Sequence, residues 1–139
     1  MQSTFLAWMF RMPLIKRWAL MFCVKPENVA EHSHQVAIVA HLLAVIRNEK
    51  FSGNINADKV ATVALYHEAS ETRFGDIVSP TKYANPEIAR EFKKIEYIAE
   101  KQCLESLPEE FQAIFSDIIV QDNVDDQYKK IVKAADILV

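Results

Sequence analysis

The sequence predicts an all-α fold, a bundle of about six helices, and three observations carry the prediction. The 139 residues include only two glycines and five prolines, so few positions punctuate regular structure. No stretch keeps the apolar–polar alternation of a strand over a useful length. Apolar residues recur instead at helical spacing in successive segments parted by short breaks, with no repeat of fixed period and no low-complexity tract.

The elements follow in order. The opening stretch from Phe5 to Met12 is apolar, yet too short to span a bilayer and without the features of a signal peptide. The first long helix is expected from about Val29 to Lys50. There Val36, Val39, Leu43 and Ile46 mark one face, and Ile38, Leu42 and Val45 widen it enough to suggest a place near the middle of the bundle. Phe51 to Asn54 breaks it, and Asn56 can cap a second helix through Val60, Val63, Ala64 and His67 to Glu71. Thr72 to Ala84, with Gly75, Asp76 and Pro80, reads as a loop. Asn85-Pro86-Glu87 has the cap, first-turn proline and early carboxylate of a helix start, which Ile88, Phe92, Ile95 and Ile98-Ala99 continue to about Leu107. Pro108-Glu109-Glu110 opens a shorter helix through Phe111, Ile114, Phe115 and Ile118, and Asp125 caps a last one through Tyr128, Ile131, Val132, Ala135 and Leu138.

A chain of this length, 50% hydrophobic, is expected to form a single domain over residues 1–139, because two would each be marginal. Sixteen basic against 19 acidic residues leave a net charge of −3, which gives no field for a nucleic-acid polymer or an anionic membrane. A small anionic substrate remains open where a metal or a local arginine supplies positive charge. Cys23 and Cys103 match no metal or disulfide spacing and read as buried free thiols in a reducing cytoplasm.

Glu31-His32-Ser33, His67-Glu68 and Lys133 to Asp136 carry imidazoles and carboxylates on three apolar helical stretches. A divalent cation needs such groups and a plain core avoids them, so the set marks a candidate metallohydrolase. His32 lies one turn before Val36 on the inward side, and His67 shares a face with Val60, Val63 and Ala64. Glu68 is about 100° round that helix. Each residue alone has an ordinary reading: a hydrogen-bonded core histidine, or an Asp136 paired with a nearby lysine. His34 and His41, without an evident acidic partner, read as structural or surface residues.

Taken together the pattern resembles the HD-domain phosphohydrolase superfamily and, within it, the YfbR-type bacterial 5′-deoxynucleotidases. The stretches that carry the resemblance are PLIKRWALM (13–21), ENVAEHSHQVAIVAH (27–41), ALYHEASETRFGDIVSPTKY (64–83) and VKAADILV (132–139). The resemblance implies an HD-domain helical fold and a phosphomonoesterase that removes the 5′-phosphate of deoxyribonucleoside monophosphates. It implies one divalent metal on His32, His67, Glu68 and Asp136, cobalt or manganese first, with zinc, nickel, copper or magnesium as alternatives. It further implies a cytoplasmic homodimer. By motif, Glu71 and Asp76 resemble catalytic residues, Arg17 and Trp18 resemble the pair that meets the nucleotide, and Asp76, Ile77, Val78 and Ser79 resemble the facing wall.

The chemistry is consistent with those roles. A phosphate monoester resists free water, and a cation lowers the pKa of water and screens the dianion. Glu71 lies four residues after His67 and three after Glu68, within reach of a proton on the attacking water. The guanidinium of Arg17 suits phosphate and the ring of Trp18 suits a base or sugar. On position alone, Glu71 reads equally as a solvated last-turn residue, and Arg17 and Trp18 as a surface arginine beside a core tryptophan.

Two departures qualify the resemblance. Position 68 holds Glu where the family has Asp, and the family's C-terminal helices are expected to be lacking from this chain. The added methylene is expected to leave metal binding intact and to slow turnover relative to a Glu68→Asp variant. Two other readings therefore stand beside the nucleotidase: an HD-fold protein that binds a nucleotide or partner without hydrolysis, and a hydrolase of another phosphate ester.

Overall fold

Four long helices begin at residues that turn a side-chain oxygen back onto a free amide of the first turn. Asn28, Asn56 and Asn85 accept from the amides of Glu31, Lys59 and Ile88, and Asp125 accepts from that of Gln127. In the computed structural model, which describes residues 3–139, the elements are α1 (Phe5–Met9), α2 (Val29–Phe51), α3 (Ala57–Tyr66), α4 (Glu71–Phe74), α5 (Ser79–Lys82), α6 (Pro86–Glu105), α7 (Glu109–Ile119) and α8 (Asp126–Leu138). Short 3-10 turns lie at Met12–Leu14 and Gln121–Asn123, and one antiparallel bridge joins Lys16 to Asn28. No strand occurs among the described residues, so the all-α expectation holds.

The packing rests on α2, which lies against α3 and α8. Ala37, Ala40 and Ala44 of α2 meet Val60, Val63 and Ala64 of α3, and Val132 and Ala135 of α8 close this core from the other side. Small alanines let the helix axes approach, so the seam is close-packed rather than bulky. A second core joins Phe5, Met9 and Met12 to Val29, Ala69, Cys103, Leu104 and Ile119. The two cores meet at the start of α2 and the end of α3, which is where the candidate ligands fall.

Several sequence expectations change. The side of α2 bearing Ile38, Leu42, Val45 and Ile46 is exposed. Although α2 is long and apolar enough to cross a membrane, its alanine side is packed into the core and its outer side faces outward, so it is not enclosed all round. In α6, Ile95 and Ile98 are also exposed, and the buried line runs through Ala99, Glu100, Cys103 and Leu104. The helix expected to reach Glu71 stops at Tyr66. The loop expected from Thr72 to Ala84 contains α5 and most of α4. Cys103 is buried as expected, but Cys23 is exposed, because it lies in an apolar turn that no other element covers. His41 does have an acidic partner, Asp58 of α3 at 3.1 Å, brought there by the α2–α3 packing.

Candidate functional site

The end of α3 sets the geometry. From His67 the backbone leaves α-helical pairing for bonds three residues apart: Ala69 to Tyr66, Glu71 to Glu68, and Arg73 to Ser70. That tighter winding alters the angle between successive side chains, and His67 and Glu68 both reach the same place. Nδ1 of His67 donates to the Ala64 carbonyl at 2.5 Å, an end-of-helix acceptor that fixes the tautomer and leaves Nε2 facing inward. Nε2 lies 3.1 Å from Glu68 Oε1 and 3.6 Å from Asp136 Oδ1. It is buried without an aligned hydrogen bond.

His32, in the second turn of α2, is 1% exposed. Its Nε2 is 2.6 Å from Asp136 Oδ1 across the α2–α8 seam, and its ring centroid is 5.9 Å from that of His67. Asp136 thus pairs with histidines and not with a lysine. One donor atom from each of His32, His67, Glu68 and Asp136 lies within 4.8 Å of the others. Atoms bound about 2.0–2.2 Å from one ion stand at comparable separations, and two imidazoles with two carboxylates suit a first-row divalent cation. The residues therefore fit a metal, and the unaligned Nε2 of His67 is what a missing bond partner leaves behind.

The charges lean the same way. Burial alone would lower the pKa of His67, but the carboxylates of Asp136 and Glu68 raise it to about 10. A proton on that ring stands where a cation would offset the same carboxylates. The paired histidines, His32 first, hold Asp136 well below the usual carboxylate range. Burial would raise Glu68, yet the facing His67 lowers it. Glu71 behaves in the opposite way: burial, then the charge of Glu68, then Asp76 push its carboxyl up to about 10.

Beside this cluster lies a cavity of about 290 Å³. Arg17 and Trp18 form one wall, Asp76 to Ser79 the other, and Glu68, Glu71 and Asp136 the floor. All the residues that the sequence singled out for substrate and catalysis line this cavity, with His32 and His67 set beneath. Glu71 does not continue α3 as expected. It opens α4, and it is 7% exposed rather than solvated. Gly75, at φ 81° with open space where a Cβ would stand, turns the chain from α4 into the Asp76 wall. A larger groove of about 630 Å³ beside Glu100 and Lys129 is lined by none of the four clustered donors, whereas Glu68 and Asp136 line the smaller cavity, so the chemistry points to the latter.

Two residues at the site carried no role in the sequence reading. Glu27 accepts from Arg17 Nε at 3.1 Å, and Lys82, on the cavity wall, pairs with Glu96 of α6 at 3.0 Å. Glu27 stands inside the ENVAEHS stretch, but only the chain reversal between Lys16 and Asn28 reveals its partner.

With this geometry in place, comparison with known proteins gives the family. The profile of the family described as 5′-deoxynucleotidase YfbR-like matches residues 4–139. A 5′-deoxynucleotidase of Vibrio vulnificus is 53% identical over 135 residues, 97% of this chain and 70% of that protein. The 5′-deoxynucleotidase YfbR of Escherichia coli O127:H6 is 50% identical over 137 residues, 99% of this chain and 69% of the relative. Among solved structures, an HD-domain phosphohydrolase from Listeria innocua superposes with a TM-score of 0.83 at 25% identity, covering 97% of this chain. The chain spans 64% of that structure's length. On a family profile that covers nearly all of its length and on relatives about half identical to it, this chain belongs to the YfbR-like 5′-deoxynucleotidase family of HD-domain phosphohydrolases.

Proposed function

We propose that this protein is a metal-dependent phosphomonoesterase that converts deoxyribonucleoside 5′-monophosphates to deoxynucleoside and phosphate. The observation that carries the reading is the four-donor cluster opening onto a cavity that also holds a guanidinium and a buried carboxyl. It is joined by the activity named for relatives that are 50–53% identical. His32, His67, Glu68 and Asp136 would hold one divalent ion, cobalt or manganese first, with zinc, nickel, copper or magnesium as alternatives. Bound there, such an ion lowers the pKa of water and screens the phosphate dianion.

The chain's own side chains do the rest. Arg17 uses its terminal guanidinium nitrogens to hold phosphate oxygens, its Nε being taken by Glu27. Trp18 offers an exposed ring face to the base or sugar, and the Asp76 to Ser79 wall closes the opposite side. A cation at the cluster would offset the Glu68 charge that helps keep Glu71 protonated, and Glu71, once ionised, would receive a proton from the attacking water and return it to the leaving 5′-oxygen. Asp76 beside it adds negative charge that helps Glu71 retain a proton. In this reading the protein works in the cytoplasm as a homodimer, each copy one HD domain.

Phosphate release from a panel of deoxynucleoside 5′- and 3′-monophosphates, with cobalt or manganese added, tests the proposal. The 5′-phosphates are expected to turn over faster, and equal rates would remove the specificity. Glu68 favours one other reading, binding without hydrolysis. No release from any member, with metal shown to be bound, would support it.

A further inference from the structure

Residues 15–17 and 27–29 run antiparallel. The Arg17 amide donates to the Glu27 carbonyl and the Val29 amide to the Ile15 carbonyl, both at 2.9 Å, around the Lys16–Asn28 bridge. This reversal sets the Glu27 side chain beside the candidate nucleotide clamp. Glu27 Oε2 accepts from Arg17 Nε at 3.1 Å and from Trp18 Nε1 at 3.3 Å. The Arg17 guanidinium lies 5.2 Å from the centroid of the Trp18 ring. Trp18 has φ 60° and Leu20 has φ 66°, left-handed conformations that a side chain rarely adopts unless its surroundings impose them. The other oxygen, Oε1, lies 4.0 Å from His32 Nδ1, a buried ring nitrogen with no hydrogen-bond partner.

An ordinary ion pair tying down a turn would account for the Arg17 bond alone. It would not account for one oxygen receiving donors from both cavity-lining residues. We propose that Glu27 is a positioning residue, a single carboxylate that fixes Arg17 and Trp18 for the nucleotide. The inference rests on the nucleotidase reading for its substrate. Glu27 acts through its neighbours: Arg17, held by Nε, keeps its outer nitrogens turned to the cavity, and the indole keeps one face open.

The test compares Glu27→Ala and Glu27→Gln with the parent, using deoxyadenosine 5′-monophosphate and added manganese. Glu27→Ala is expected to raise KM about tenfold and change kcat by less than about threefold, since the candidate ligands and Glu71 stay in place. Glu27→Gln, which keeps one accepting oxygen, is expected to raise KM less. Arg17→Ala combined with Glu27→Ala should raise KM by less than the product of the two single effects, because the part of Glu27's role that runs through Arg17 is already lost. A KM for Glu27→Ala within twofold of the parent, or a double variant that loses the product of the two single effects, overturns the proposal.

A second readout is independent of turnover. The indole N–H signals of Trp8 and Trp18 are resolved by nuclear magnetic resonance and assigned with Trp18→Phe. In Glu27→Ala the Trp18 signal is expected to shift as its hydrogen bond is lost, and the Trp8 signal to stay. An unmoved Trp18 signal overturns the proposal. If the parent releases no phosphate from any nucleotide, the nucleotidase reading falls, and the indole signal still decides whether Glu27 holds Trp18. Should Glu27→Ala fail to fold, Glu27→Leu, which keeps the side-chain bulk without an accepting oxygen, carries both measurements.

Discussion

Replacing Glu71 with glutamine is expected to stabilise the metal-free protein while removing its activity. Glu71 is 7% exposed. Burial and the charges of Glu68 and Asp76 move its pKa from 4.5 to about 10. Across that window the folded chain keeps a proton that the unfolded chain releases, so stability falls as pH rises above 4.5. Each unit of the gap is worth about 1.4 kcal/mol, which bounds the cost at pH 7 at about 3 kcal/mol. Water reaching the cavity reduces this, and about 1–3 kcal/mol is a fair range. Glutamine carries no such proton and has nearly the same shape. At about 0.3 kcal/mol per degree for a chain of this size, the gain corresponds to a Tm about 3–10 °C higher at pH 7. Thermal melts followed by circular dichroism in EDTA at pH 5, 7 and 8.5 measure it. The gap between variant and parent should be small at pH 5 and widen with pH. Phosphate release by the metal-loaded variant should fall about 10²–10⁴-fold, the usual contribution of a proton-transfer group. A gap of the same size at pH 5 and 8.5, or a variant less stable than the parent at pH 8.5, would refute the account of Glu71 as a strained acid.

His67→Ala should lower bound manganese from one per chain to near zero after dialysis, as read by elemental analysis. Stoichiometric metal in that variant would remove His67 from the ligand set. Glu68→Asp should retain metal and turn over faster than the parent. A Glu68→Asp variant no faster than the parent at saturating metal would show that the surroundings have adapted to Glu68.

Much of this was legible because the signals are local. A cap and the amide it satisfies lie two or three residues apart, and the starts of α3, α6 and α8 were readable at Asn56, Asn85 and Asp125 for that reason. The four gathered donors were legible for another: imidazole and carboxylate beside apolar residues are costly without a shared partner. The end of α3 was not legible. Leu65 to Thr72 contains no glycine or proline, and nothing in its propensities halts a helix there. The backbone tightens where His67 and Glu68 meet side chains from α2 and α8. The outward side of α2 was misread because apolar spacing marks what can be buried, and only the arrangement of neighbours decides which part is. Glu27 was missed because its partners, Arg17 and Trp18, are brought near by a reversal that no short window of sequence displays.

The alanine seam between α2 and α3 has a consequence beyond packing. His32 and His67 ride on the two helices that Ala37, Ala40, Ala44 and Ala64 hold together, so the thickness of these methyl groups acts as a gauge block for the distance between two imidazoles. A serine or valine at Ala40, a full turn or more from His32 and in contact with no substrate, would widen the gauge by a fraction of an ångström. The calibration of the candidate cation site would in that sense be stored in residues that carry no chemistry of their own, and drift at them is expected to change which ion the site holds best.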